Sequence, residues 1–116
     1  MQQTEYNRVL LKHAEAPANA ICLAQSGTLD QRSILASLQV HFHFPDYFGE
    51  NFDAAYDLLL DVVDSLTEPT VWRFCTGSQS KIDHDALASW QQLMQDLMHY
   101  AYSKGVTLQV ELFIEP

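Results

Sequence analysis

Basic residues are scarce in this chain, which holds 6 Lys and Arg against 15 Asp and Glu and carries a formal charge of −9. Such a surface repels polyphosphate and anionic lipid, so neither nucleic acid nor a membrane is expected as a direct partner. A cationic protein suits it better, because a concentrated negative field speeds encounter with a positive surface and disfavours like-charged competitors. Cysteine is equally sparse. Cys22 and Cys75 stand more than fifty positions apart with no CxxC pair, so two free buried thiols are expected rather than a disulfide framework. No stretch approaches the roughly 20 apolar residues of a membrane span. The run Val9-Leu10-Leu11, ahead of Ala16-Pro17-Ala18-Asn19-Ala20, is cut by Lys12 and Glu15 and is too short for a secretory signal. A cytoplasmic location is therefore the expectation. Gly-rich phosphate loops and GxSxG, HExxH or paired-Cys motifs are also missing, which removes the commonest catalytic signatures.

What remains is a chain of 116 residues, 47% hydrophobic and 18% charged, with room for one packed domain. Residues 1–19 carry few core-forming side chains beyond Tyr6 and Val9-Leu10-Leu11 and read as an arm or a short helix; residues 20–116 read as the domain. Ala20-Ile21-Cys22-Leu23-Ala24, closed by Ser26-Gly27, predicts a buried strand. Thr28 and Gln31 have capping-box spacing, and a helix burying Ile34, Leu35 and Leu38 should follow and end before Pro45.

A second helix is predicted from Asn51 to about Ser65, because Phe52, Ala55, Tyr56, Leu59, Val62, Val63 and Leu66 recur at helical spacing. Thr70 to Cys75 is β-branched and aromatic, hence a strand closed by Gly77-Ser78. A long helix begins at Asp83 or Asp85, buries Leu87, Trp90, Met94, Leu97, Met98 and Ala101, and stops at Gly105. Val106 to Ile114 alternates, which predicts a last strand with one buried and one wetter face. This order favours an α/β fold, a small three-stranded parallel sheet flanked by helices and joined by right-handed crossovers.

Chemistry concentrates in Pro45-Asp46-Tyr47-Phe48-Gly49-Glu50-Asn51-Phe52-Asp53-Ala54-Ala55-Tyr56-Asp57. On a helix, Asp53, Asp57, Asp61 and Asp64 fall at spacings of four, four and three, so they line one face opposite the apolar residues. Like charges four apart each cost about 0.2–0.5 kcal/mol, and no Lys or Arg lies between Pro45 and Leu66 to offset them. A solvated face on an acidic protein accounts for a lone stripe. Here Tyr47, Phe48 and Tyr56 interleave with the carboxylates, and aromatic anchors beside charged groups are what protein interfaces use. Gly49 and Asn51, just ahead of the helix, predict a tight loop presenting backbone at its N-terminus.

The same window resembles the loop and second helix of the barstar family of ribonuclease inhibitors, without a gap from Pro45 to Asp57 and with agreeing element order from Ala20 to Ile114. That resemblance implies a three-stranded parallel sheet flanked by helices, no catalysis and no cofactor, with the second helix plugging a nuclease active site. By the same resemblance Asp57 would take a substrate phosphate's place, Asp53 would be a second hydrogen-bonded carboxylate, Tyr47 a packing anchor, and Gly49 and Asn51 backbone contacts. The acidic and aromatic reading adds Tyr56 and Asp61 to this partner-binding set. Tyr56 and Val62 stand where the family carries tryptophans, and Tyr100 where it carries a glutamate. The expected partner is thus a basic protein, a secreted or toxin ribonuclease, met by a free monomer acting as an immunity protein or antitoxin.

Two readings compete with inhibition. A barstar-like adaptor would use the same face on a basic protein that is no nuclease. A metal-dependent enzyme would use Asp53, Asp57 and a histidine, and His41 and His43 beside Asp46 offer a further set of donors if that segment is extended. Asp83-His84-Asp85 resembles an acid–base cluster, but capping explains it more simply, and Met94 and Met98 read as core.

Overall fold

The computed structural model of the chain describes residues 8–46 and 50–116. Among the described residues nine elements follow one another: β1 Leu10–Lys12, β2 Ile21–Cys22, β3 Thr28–Leu29, α1 Gln31–Phe42, α2 Phe52–Asp64, β4 Thr70–Cys75, β5 Lys81–Ile82, α3 His84–Ser103 and β6 Leu108–Phe113. The main sheet has the order β1-β6-β4-β2 with every pair parallel, and β3 pairs with β5 in a separate two-stranded ribbon. Parallel neighbours need crossovers rather than hairpins, and the helices supply them: α1 and α2 lie between β2 and β4, and α3 lies between β4 and β6. The α/β class and the parallel sheet agree with the sequence reading.

The sheet has four strands where three were expected. The fourth is β1, contributed by the N-terminal arm, which aligns Leu10, Leu11 and Lys12 with Glu111, Leu112 and Phe113. Three residues are too few for a periodicity to register, and the strand exists because β6 offers an open backbone edge. Further along, the Ile114 N–H donates to the Lys12 carbonyl at 2.8 Å, and the Ala16 N–H donates to Glu115 Oε2 at 3.2 Å.

With β1 in place, β6 is an interior strand, and its second face is not wet. Leu108, Val110 and Leu112 enter the core with Trp72 and Phe74 of β4, while Glu111 on the opposite face is only 7% exposed. Lys12 Nζ lies 3.3 Å from one Glu111 oxygen and Arg73 Nε donates to the other at 3.0 Å, so cations on both flanking strands cover this carboxylate. Both cations remain more than two-fifths exposed, which weakens the pair by solvent screening. Glu111→Gln should cost about 1 kcal/mol in a urea unfolding curve. A change below a few tenths would mean that water replaces the interaction fully.

The helices close the other face of the sheet. Phe42 at the end of α1 packs on Trp72 with ring centroids 4.9 Å apart, and Trp90 of α3 meets Phe74 edge-on at 5.0 Å. The first helix is capped two residues later than predicted. Asp30 is the N-cap, accepting from the Ser33 N–H at 2.9 Å while Ser33 Oγ accepts from the Asp30 N–H, because Thr28 is taken up by β3. The third helix begins on Asp83, whose Oδ1 accepts from the Asp85 and Ala86 N–H groups. Met94 and Met98 are fully buried in the core. His41 lies within the last turn of α1 and His43 beyond it in a left-handed conformation, so the extended segment that would align them does not form. Burial, and secondarily His43, lowers the His41 pKa.

Candidate partner-binding site

The acidic helix is built by three local devices. Asn51 caps it, its side-chain oxygen accepting from the Ala54 N–H at 2.7 Å and its carbonyl from the Ala55 N–H at 3.0 Å. Asp53 in the first turn complements the helix dipole. Ala55, Leu59 and Val63 are buried along the inner face, and this apolar seam fixes the rotation that turns Asp53, Asp57, Asp61 and Asp64 outward. All four carboxylates are exposed.

They are not equivalent. Asp64 is engaged by α3: the Tyr100 hydroxyl donates to its Oδ1 at 2.7 Å, and Lys104 Nζ lies 3.6 Å from the same oxygen and 5.5 Å from the Tyr100 ring centre. The hydrogen bond to Asp64 is the main reason the Tyr100 hydroxyl titrates above its ordinary value, so it stays a donor. Among the described residues, Asp53, Asp57 and Asp61 have neither hydrogen bond nor ion pair. Successive members of that trio are one turn apart, about 6 Å along the axis.

Two grooves lie near the start of the helix. One, of about 280 Å³, lies between α2 and α3 and is lined by Phe52, Asp53 and Tyr56 facing Ser89, Gln92 and Asp96. The other, of about 350 Å³, lies between α1 and the loop, lined by Arg32, Leu35, Gln39 and Glu50 among others. Tyr56 is half-buried, so its ring is held at the rim of the first groove. Glu50 sits at φ 56, a left-handed conformation unfavourable for a side chain with a Cβ, immediately before the cap. Tyr47 and Gly49 of the expected set, with Phe48, lie outside the described residues.

A family model described as Barstar (barnase inhibitor) matches residues 19–112. The chain belongs to the barstar family. Neither a curated protein nor a solved structure matches it. The family match begins after β1, which lies outside the matched region. A barnase inhibitor is a protein-binding rather than a catalytic type, and among the described residues of this chain no group of three or more His, Cys, Asp or Glu gathers as a metal site requires. Nor, among those residues, is any helix long and apolar enough to cross a membrane.

Sequence reasoning brought Asn51, Asp53, Tyr56, Asp57 and Asp61 to one surface, and the structure holds them on one helix and its cap. It missed that Asp64 has partners within the chain, because nothing in a helical period says which residues of a distant helix will face it. Asp61 stands in the last turn, which contains no basic residue and where a carboxylate opposes the helix dipole. Asp61→Lys should therefore stabilise the free protein by about 0.5–1 kcal/mol, adding a favourable Asp57-to-Lys spacing of four. An unchanged or lower urea midpoint would show that Asp61 has a stabilising role in the free chain.

Proposed function

We propose that this barstar-family chain inhibits a ribonuclease by seating α2 and the loop before it in the enzyme's active site. The observation that supports this most directly is the trio Asp53, Asp57 and Asp61, exposed and unpaired among the described residues on the helix nearest the family's characteristic loop. An enzyme that cleaves RNA presents fixed cations for phosphate, and a rigid row of carboxylates can satisfy those cations without offering a bond to cleave. Asp57, midway along the helix, takes the phosphate position; Asp53 and Asp61 extend the contact, Tyr56 packs beside them, and Asn51 with the preceding loop, including Tyr47 and Gly49, completes the surface.

In this role the chain is a cytoplasmic immunity protein or antitoxin, monomeric when free and without a cofactor. Its cognate target is a basic, secreted or toxin ribonuclease. Affinity capture from the native cell's lysate and medium, with wild type beside Asp57→Ala, tests the reading. A basic ribonuclease should be recovered by wild type alone and lose activity as the inhibitor is titrated in. Recovery of a basic protein that is no nuclease would favour an adaptor on the same face.

Association should also depend steeply on salt. Raising ionic strength from about 0.1 M to about 1 M shortens the screening length from about 10 Å to about 3 Å. The association rate should fall about tenfold or more over that range, with a smaller change in dissociation. Rates insensitive to salt would remove the acidic stripe from the recognition step.

A further inference from the structure

We propose that Cys22 and Cys75 form a modification site, a thiol pair that closes to a disulfide when its exposed member meets a low-molecular-weight disulfide such as glutathione disulfide. The two cysteines lie far apart in the chain, yet they are register partners on the parallel neighbours β2 and β4. Adjacent strands run about 4.7–4.9 Å apart, inside the range of about 4.4–6.8 Å that a disulfide spans between Cα atoms. Register partners in a parallel pair project from the same face, so both sulfurs start on one side of the sheet. The Cys22 sulfur also turns toward β4: a Cβ placed on Gly77, just after that strand, would stand 3.4 Å from it. Both thiols are free, and Cys22 is near enough to help raise the Cys75 pKa.

Their environments assign the order of events. Cys22 is exposed on an edge strand, whereas Cys75 is buried. Burial first, then the proximity of Cys22, pushes the Cys75 thiol up to about 12, so Cys75 stays protonated while its neighbour reacts. The Cys22 thiolate attacks one sulfur of glutathione disulfide; the S–S bond of the oxidant breaks and one glutathione leaves, taking up the proton that Cys22 released. Cys22 is then capped and carries no charge, which removes its contribution to the raised Cys75 value. Cys75 loses its proton and attacks the Cys22 sulfur, the mixed disulfide breaks, and the second glutathione leaves as a thiol. Two protein thiols are oxidised and one glutathione disulfide is reduced to two glutathiones.

The bond would tie a two-residue edge strand that is otherwise held by few contacts. Ser37 Oγ donates to the Cys22 carbonyl and Ser33 Oγ to the Leu23 carbonyl, both at 2.7 Å, and the Leu23 N–H donates to the Cys75 carbonyl at 2.9 Å. It also closes a loop containing α1 and α2, which restricts the unfolded chain and raises the melting temperature by about 5 °C or more.

The test is incubation of the folded protein with glutathione disulfide, followed by intact mass, thiol titration in denaturant, peptide mapping and a melting curve. Wild type should lose two hydrogens and both thiols, yield a peptide joining Cys22 to Cys75, and melt higher than its reduced form. Cys75→Ser should stop at a glutathione adduct on Cys22, and Cys22→Ser should stay unmodified. Wild type that stops at the adduct, joins two chains through Cys22, or melts no higher when oxidised would overturn the proposal. None of these readings depends on finding a ribonuclease, so failure here leaves the inhibitor reading untouched.

Discussion

Asp57→Ala should weaken binding to the proposed ribonuclease target by about 30-fold or more while making the free protein more stable. The affinity term is that of a desolvated interface charge whose loss leaves cations on the partner unpaired, about 2 kcal/mol or more. That expectation is borrowed from barstar and barnase themselves, the reference system for such charge pairs. The stability term follows from this chain. Asp57 is exposed, has no partner among the described residues, and stands four residues from Asp53 on one side and Asp61 on the other. Removing it relieves two repulsions of about 0.2–0.5 kcal/mol each and replaces a poor helix former with the best one. A net gain of about 1 kcal/mol is expected in the urea midpoint.

The opposite signs are what make the experiment decisive. A residue kept for folding loses both properties together, whereas one kept for binding gives up affinity and returns stability. Titration calorimetry on the complex and urea unfolding of the free protein measure the two terms separately. Lower stability would give Asp57 a structural partner, and unchanged affinity would move the contact away from the centre of α2. Asn51→Ala supplies the contrast, because its side-chain oxygen caps the Ala54 N–H and its loss should cost about 1 kcal/mol of stability.

The elements with long periods were legible in the sequence, and those made by backbone alone were not. Leu59, Val63 and their neighbours announce α2 by spacing, and Trp90, Met94, Leu97 and Ala101 do the same for α3. β1 escaped because Leu10-Leu11-Lys12 has no pattern of its own and is a strand only through β6. The face of β6 that carries Glu111 was expected to be the wetter one for the same reason, since the burial of Glu111 depends on Lys12 arriving from that unseen strand. Capping chemistry was recognised in kind but misplaced for α1, where Thr28 and Asp30 both offered acceptable spacing and the β3–β5 pairing decided between them. The acidic face was read correctly as a face, but Tyr100 and Lys104 arrive from another helix to occupy Asp64. Cys22 was expected to be buried, yet it is exposed and lies beside Cys75, a proximity that belongs to strand register and leaves no trace in spacing along the chain.

Trp90→Ala should cost about 3–5 kcal/mol, the largest stability effect expected of a single change here. Trp90 is 0% exposed in the helix–sheet core, edge-on to Phe74, and a domain of this kind has only about 5–15 kcal/mol in all. Trp90→Phe should behave quite differently. The smaller ring leaves a void that costs roughly 1 kcal/mol or somewhat more. Against this, Trp90 Nε1 is buried without a hydrogen-bond partner among the described residues, and removing an unsatisfied donor recovers about 1–3 kcal/mol. The two terms nearly cancel, so Trp90→Phe should unfold in urea within about 1 kcal/mol of wild type. A loss close to that of Trp90→Ala would show that the indole N–H is satisfied or that the edge-on contact with Phe74 outweighs it. Ser89 and Leu93, beside Trp90 on α3, line the groove that holds Tyr56. Loosening the core under α3 therefore reaches the acidic face through the packing of α3 on α2, and Trp90→Ala should weaken the proposed partner binding at temperatures where Trp90→Phe does not.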